Sequence, residues 1–557
     1  METKEKSRIA DIMFIILLAG VVCMHLSRIR LGNVDIDEAF YLTVPYRLAQ
    51  GEGLLADEWH VSQLVGFLLY PFVKCYLLIQ GNTEGIYLAS RYVYLVCLTG
   101  SAIVSYVLLR KRNRWMAAIA NIMFALFTHA CLRTLSYNTI GMLATWLMAS
   151  VLIANFRSFR LRHFITGILL AIVVLCCPYM VLAYALYAIV CLWKRQKKET
   201  FGIEALGWVT AGSGFIALIF IVFVLSRTSL TTVLESIGYI LADPAHKQKG
   251  IMAFMEPVLW FVNWFKLYFL AFLAGGVIAV FSRKYRCFML IGITLLNMLF
   301  LALLSVFKTG GGVGKHAVVL PLALIGLLSF IMTEKKDWDL FTKGWMLGMV
   351  YAFCMNLSSN QGVYVMCNAS LISSCTALFM LHDFRKENLT EKILPWCFAG
   401  LILMQLAAQV YINMNYVYWE DDGEALNCEI TEGPLKGVIT TEAKKKLNDE
   451  NYHLIQELGD LSGKHILFYN MFPQGYLMAE NANNASFSGW IKEYDLDNDK
   501  FKEYYKIYPE KIPDIIFVDS RETSGWNDEQ WAQWCEENGY TSRLILDSER
   551  ILFKQNE

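Results

Sequence analysis

The sequence predicts a polytopic α-helical membrane protein with about thirteen transmembrane helices, interfacial helices in its first outer loop, and a small C-terminal α/β domain outside the cytoplasm. Three observations predict it. Of 557 residues, 56% are apolar and 18% charged, more apolar surface than a water-soluble fold of this size requires. The apolar residues gather into runs that match the ~20 residues a helix needs to cross the hydrocarbon core. The net charge of zero hides a division near residue 414: the C-terminal part holds about twice as many acidic as basic side chains, and the membrane part carries the balancing basic excess.

The opening METKEKSRIADIMFIILLAGVVCMHLS has no small-residue cleavage site and many spans follow it, so a retained first helix is expected. Spans are expected near residues 9 to 27, 86 to 109, 115 to 132, 138 to 155, 163 to 177, 179 to 193, 204 to 226, 257 to 280, 287 to 307, 317 to 332, 344 to 357, 363 to 381 and 393 to 413. The apolar run around Pro178 reads as two short helices or one kinked one.

Basic loops decide between those readings, because short loops rich in Lys and Arg stay cytoplasmic. KEKSR, RKRNR (110 to 114), RSFRLR (157 to 162), KRQKK (194 to 198), SRKYR (282 to 286), TEKKDW (333 to 338) and HDFRKENLTEK (382 to 392) all fall inside when the Pro178 run is two helices. The N-terminus is then cytoplasmic. Residues 1–413 form the membrane domain, 28–85 its first outer loop, and 414–557 an extracytoplasmic domain.

In that tail, strand-like GVIT, KHILFYN and DIIFVDS alternate with helix-compatible stretches such as TEAKKKLNDENYHLIQELG, which predicts a small, mainly parallel sheet. YTSRLILDSERILFKQ reads as a closing hairpin. Twelve of the fourteen cysteines lie in or beside spans as small hydrophobes; Cys428 and Cys535, in the tail, would be free to pair in an oxidising compartment or to remain thiols.

The chemistry concentrates in the first outer loop. Asp35, Asp37 and Glu38 follow the first helix, then comes AFYLTVPYRLAQG, expected to lie along the interface with its aromatics toward lipid. A second acidic pair, Asp57 and Glu58, stands with His60 and Gln63 before an apolar segment broken by Pro71 and short for a span. Of the basic side chains near the outer ends of spans, Arg91, Lys315 and Lys266 are candidates to neutralise an anion, and Arg133 reads as a snorkelling side chain. Lys266, inside VLWFVNWFKLYFLAF, is expected to face a cavity or a partner, because an ammonium within a span is costly otherwise.

An Asp-Glu pair opening the first outer loop, an interfacial helix ending in a Gly-containing turn and an Arg at the outer start of the next span resemble the GT-C superfamily of membrane glycosyltransferases. That family includes protein O-mannosyltransferases and transferases that add aminoarabinose to lipid A. The layout of the whole chain is similar; the residue match covers the first outer loop.

The resemblance implies transfer of a sugar from a polyprenyl phosphate or diphosphate to an outer hydroxyl, with inversion. It implies Asp37 as general base, Glu38 as its neighbour and Asp35 as the rival. The donor phosphate would meet Lys315, His316, Arg91 and Lys266; His316 stands in KHAVVLP where Tyr is common in the family. Asp57, Glu58, His60 and Gln63 would form the substrate or metal neighbourhood. A divalent metal, Mg or Mn, held by Asp37 and Asp57, is one source of positive charge for the leaving phosphate, and Arg or Lys the other. The expected partners are the lipid-linked donor, a glycan, lipid or protein acceptor and membrane lipids, with no nucleic acid.

Two other classes remain open: a transporter or flippase of envelope precursors, and a non-catalytic membrane scaffold. Nearly carboxylate-free spans and the absence of an internal repeat disfavour the transporter. GGGVGKH (310 to 316) departs from a phosphate-binding loop at both ends, and DLDNDK (495 to 500) lacks the Gly and closing Glu of a calcium loop. HExxH and GxSxG are absent from the sequence.

Overall fold

A computed structural model describes residues 4–555 apart from 34–36, 155, 197–200, 243–250, 306–311, 360–361, 389–391, 419, 421–424, 470–471, 492–499, 520–527 and 548–549. Among the described residues, nine helical runs are long and apolar enough to cross a bilayer. Eight coincide with expected spans: Arg8–Arg28, Ile86–Leu109, Phe159–Cys176, Gly202–Leu225, Arg286–Ser305, Lys315–Met332, Val363–Glu387 and Leu394–Asn415.

The ninth, Val61–Gln80, was not expected to span, and both its ends meet the soluble domain. At its start Glu58 accepts the Gly489 N–H, and beyond its end Thr83 Oγ1 donates to the Leu477 carbonyl. Its own side chains pack on both parts, Phe67 and Tyr70 on Phe223 of the helix Phe201–Leu225 and Val73 in a cluster with Ile430, Leu435 and Val438. Three expected spans are shorter helices, Arg114–Leu126, Tyr137–Ile153 and Met180–Trp193. The chain breaks at Cys177 to Tyr179, so the Pro178 region is two helices.

The expected span at 257 to 280 is not straight. Val258–Trp264 and Lys266–Phe281 meet at 88°, so Lys266 starts a helix and is exposed, where the sequence had suggested a charge buried mid-span.

One end of the bundle brings together three of the basic loops, 110–114, 333–338 and 382–392, with the start of the first helix. Arg114 pairs with Asp11 at 2.7 Å, Arg112 with Asp337 and with Asp383, and Asn113 Nδ2 lies 2.8 Å from His382 Nε2. The soluble domain occupies the opposite end, where Arg30 at the close of the first helix donates to the Gly437 carbonyl at 2.8 Å.

That domain is built on a five-stranded sheet. In chain order the strands are β1 (Cys428–Glu429), β2 (Ile439–Thr440), β3 (His465–Tyr469), β4 (Asn483–Asn484), β5 (Ile515–Asp519), β6 (Tyr540–Asp547) and β7 (Arg550–Gln555). The sheet order is β4-β3-β5-β7-β6. β4, β3 and β5 run parallel, while β5-β7-β6 are antiparallel, so the sheet is half parallel where a mainly parallel one was expected. The closing hairpin supplies the antiparallel half.

Alternation along each strand puts Ile466, Phe468, Phe517 and Leu552 on one face and Leu467, Tyr469, Ile516 and Val518 on the other. Both faces are buried. Trp59, from the loop 28–85 and 1% exposed, completes the second core by stacking on Phe487 and on Tyr239 of the helix Leu230–Leu241.

Cys428 and Cys535 are both free. Cys428 sits on the β1–β2 ribbon beside Leu31 of the first helix's exit, and Cys535 is buried in the core that holds Trp59. Burial pushes its thiol up to about 12.

Candidate active site

Asp37 and Glu38 open the helix Asp37–Ala49, where unpaired backbone N–H groups and the helix dipole favour negative charge. This helix does not lie with its aromatics in lipid. Every residue from Asp37 to Leu48 is buried, Phe40 completely. Thr43 Oγ1 donates to the Pro473 carbonyl and Arg47 Nη2 to the Ser486 carbonyl, both at 2.8 Å. The helix is enclosed by protein on both sides: Ala39, Leu42 and Tyr46 cluster with Ile430, Leu435 and Leu477 of the C-terminal domain, and Tyr41, Val44 and Leu48 lie in the core of the helical bundle.

Asp37 Oδ2 accepts a 2.5 Å hydrogen bond from the Tyr418 hydroxyl. Tyr41, one turn along, packs edge-on against Tyr137. Burial, then the neighbouring Tyr137 and Asp37, hold the Tyr41 phenol well above its usual value, so it stays protonated beside the carboxylate. Asp35 lies outside the described residues.

Glu38 and Arg91 form a buried pair. Arg91 Nη2 is 2.6 Å and Nε 2.9 Å from the carboxylate, and the guanidinium also donates to the Ile29 and Gly32 carbonyls at 3.0 and 2.8 Å. Both residues were expected in the chemistry. They instead pin the exit of the first helix to the start of the next, since Arg91's donors are directed at fixed acceptors.

Beside this pair is a narrow cleft lined by Arg28, Arg91, Cys131, Arg133, Glu38 and Tyr418, with room for about one water. Among the described residues, Nε of Arg28 and Nε of Arg133 are buried with no acceptor. Arg133 donates to the Cys131 and Asn413 carbonyls through its other nitrogens. Cys131 carries φ +69°, a left-handed residue in the tight turn that leads into Arg133. Burial lowers the Arg133 guanidinium, and the charges of Arg28 and Arg91 act in the same sense. The charges of Arg28, Arg133 and Lys315 all reach the Cys131 thiol. Arg28 and Arg133 thus face one cleft with part of their hydrogen bonding unmet, an arrangement that favours an anion.

Lys315 Nζ lies 3.8 Å above the Tyr416 ring. His316 turns into the bundle: the Asn368 amide sits 2.6 Å from its Nδ1 and 2.7 Å from His129 Nδ1.

The second acidic group has a different part. Asp57 Oδ1 is 2.7 Å from Lys511 Nζ and Oδ2 accepts the Gly53 N–H. Glu58 pairs with Arg47 at 2.7 Å, Gln63 bonds the Glu58 carbonyl and the Leu55 N–H, and His60 stacks on Trp490. These four residues were expected beside substrate or metal; Asp57, Glu58 and His60 join the loop 28–85 to the C-terminal domain, and Gln63 braces that loop from within. With both Asp57 oxygens engaged, Asp37 and Asp57 do not fit a shared metal, and among the described residues no three His, Cys, Asp or Glu side chains come together as a metal site.

The sequence missed Arg28, which reads as an ordinary charge at a span boundary, and Tyr418, which reads as part of an aromatic belt. It named Arg133 but took it for a surface side chain.

No family model and no curated protein matches this chain. Among solved structures it is similar to the archaeal oligosaccharyltransferase AglB from Archaeoglobus fulgidus, in complex with an inhibitory peptide and a dolichol-phosphate. The identity is 10%, the match covers 92% of this chain and 70% of that one, and the TM-score is 0.43.

Proposed function

We propose that the protein is a membrane glycosyltransferase that moves a sugar from a polyprenyl phosphate or diphosphate to a hydroxyl of a glycan, lipid or protein at the outer face. The observation that carries this reading is the pairing of a buried, oriented carboxylate with a cluster of underbonded cations: Tyr418 bonds Asp37 and also lines the cleft of Arg28 and Arg133. One group takes a proton and the other holds a leaving phosphate.

In the proposed step, the acceptor oxygen attacks the anomeric carbon and its proton passes to Asp37. The bond from that carbon to the phosphate oxygen breaks, and its electron pair leaves on the polyprenyl phosphate, opposite the attacking oxygen. Arg28, Arg133 and Lys315 balance the departing charge. The cleft is closed to a phosphate as it stands, so donor entry requires the Arg28 and Arg133 side chains to part.

The proposed orientation has the N-terminus in the cytoplasm and the soluble domain outside. Its support is the gathering of three basic loops at the end opposite that domain.

The test is transfer from tritiated polyprenyl-phosphate sugars in membranes. Asp37→Asn should abolish it while the protein remains folded; unchanged transfer would overturn the proposal.

A further inference from the structure

Two helices between the spans Gly202–Leu225 and Lys266–Phe281 carry apolar side chains that no part of the chain covers. The second span gives them a frame. At 1.5 Å per residue Lys266–Phe281 rises about 24 Å, most of the ~30 Å of a hydrocarbon core. Leu267, Leu270, Leu273, Val277 and Phe281 are exposed along it. Arg283 and Lys284 lie exposed beyond one end and Lys266 at the other, so the helix meets lipid along its side and polar surroundings at its ends.

Val258–Trp264 meets this helix at 88°, at right angles to the direction of crossing. One side of it is bound: Phe261 is buried, lies 5.1 Å from Phe265 between ring centroids, and shares the bundle core with it. The other side presents Leu259, Trp260 and Trp264, all exposed. The two indoles, one turn apart, meet edge to face at 4.6 Å. Indole rings settle where hydrocarbon meets headgroup, because they are apolar with one N–H.

The helix Leu230–Leu241 has three edges. On the first, Tyr239 stacks on Trp59 and donates to Glu503 Oε2 at 3.0 Å, while Ile240 is buried in the same core. On the second, Leu230, Leu234 and Ile237 recur at helical spacing, with the leucines 61% and 63% exposed. Thr231 and Glu235 are exposed on the third. Its apolar edge adjoins the lipid-facing side of the preceding span, where Leu218, Val222 and Leu225 are exposed.

We infer that Leu230–Leu241 and Val258–Trp264 lie on the bilayer surface, docked on the phospholipid leaflet at the C-terminal domain's side. Acyl chains cover Leu230, Leu234 and Leu259, and the headgroup level takes Trp260, Trp264 and the Lys266 ammonium. Lipid is favoured over a second copy of this chain because both apolar edges adjoin lipid-facing spans, Leu225 before the first helix and Leu267 after the second. Since Tyr239 is held by Trp59 and Glu503, the first helix also ties the C-terminal domain to the leaflet. None of these residues belongs to the candidate active site, so the inference stands whether or not the protein transfers sugar.

The test uses the full-length protein in nanodiscs of phosphatidylethanolamine and phosphatidylglycerol. Benzoylphenylalanine replaces Leu234, Trp260 or Trp264, with Thr231 and Glu235 as controls on the polar edge. Irradiation should give phospholipid adducts, read by mass spectrometry, at the first three positions and none at the controls. Equal lipid adducts at all five positions overturn the inference, as does their absence from the first three. Adducts joining two copies of the chain also overturn it, and make these faces an interface between copies. The unsubstituted protein gives a second reading that no folding defect affects. In hydroxyl-radical footprinting, Leu230 and Leu234 should be oxidised less than Leu544 of the C-terminal domain, although Leu544 is the least exposed of the three at 47%. The reverse order overturns the inference.

Discussion

Lys511 Nζ, on the C-terminal domain, lies 2.7 Å from Asp57 Oδ1 of the loop 28–85 and 3.4 Å from Glu52. Glu52 and Glu58 both pair with Arg47, so four loop residues and one domain residue form a continuous charged knot. Burial lowers the tendency of Lys511 to hold its proton, but Glu52 and Asp57 more than offset it. Lys511→Met leaves Asp57 without its ammonium partner, while Glu52 keeps Arg47, and should destabilise the junction by about 3 kcal/mol. Limited proteolysis should then release the soluble domain faster, and pairing Lys511→Met with Asp57→Asn should recover part of the loss.

Trp59 gives a second, apolar measure of the same junction. Its ring fills a core made mostly by the soluble domain, and Trp59→Ala should cost about 3–5 kcal/mol. A fall in the thermal transition of the detergent-solubilised protein, larger than for replacement of the half-exposed His60, checks it.

Arg133→Ala removes a cation with an unmet buried donor. If the cleft receives phosphate, kcat/KM for a polyprenyl-phosphate sugar should fall about 100-fold, roughly 2.7 kcal/mol of transition-state stabilisation. Relief of repulsion from Arg28 and Arg91 offsets part of the cost of the lost hydrogen bonds to Cys131 and Asn413, so the thermal transition should fall far less than turnover does. Lost stability with retained turnover would assign Arg133 a structural part.

Gly167 and Gly212 let two spans touch. A Cβ on Gly167 would lie 2.1 Å from the Val209 carbonyl oxygen, and one on Gly212 would lie 2.1 Å from that of Phe164. Gly167→Ala should force Phe159–Cys176 and Phe201–Leu225 apart at a cost of about 1–3 kcal/mol, visible as a lowered thermal transition.

Alkaline pH should loosen the soluble domain. Burial, then Asp57 and Glu52, raise the Tyr504 phenol well above its usual value, and burial, then Tyr540, raises Tyr505. The folded pKa exceeds the unfolded one, so the stability these phenols contribute is present below about pH 10 and lost as pH rises beyond it. Tyrosinate absorbance should rise first from exposed phenols and then in a cooperative step that coincides with unfolding.

Local composition was enough to mark eight full spans, the break at Pro178 and the strands β3, β5 and the closing hairpin. Each depends on hydropathy, helix breaking or period-2 patterning over a few neighbouring residues. The same locality explains the errors. Asp57 and Glu58 look like acids available to substrate or metal until Lys511 and Arg47 are brought to them, and AFYLTVPYRLAQG looks amphipathic toward lipid until the C-terminal domain packs on it.

Asp37 was legible as a carboxylate at the mouth of the membrane; its surroundings were not. Tyr418 is 381 residues away along the chain, and Arg28, Arg133 and Lys315 come from three separate helix ends. What the sequence by itself determined is which segments leave water and at which end of the bundle the acidic loop lies, because burial of apolar surface follows from local composition. Only the tertiary structure decided which charges are cancelled and which are left underbonded, because that depends on distances between side chains that no local pattern encodes.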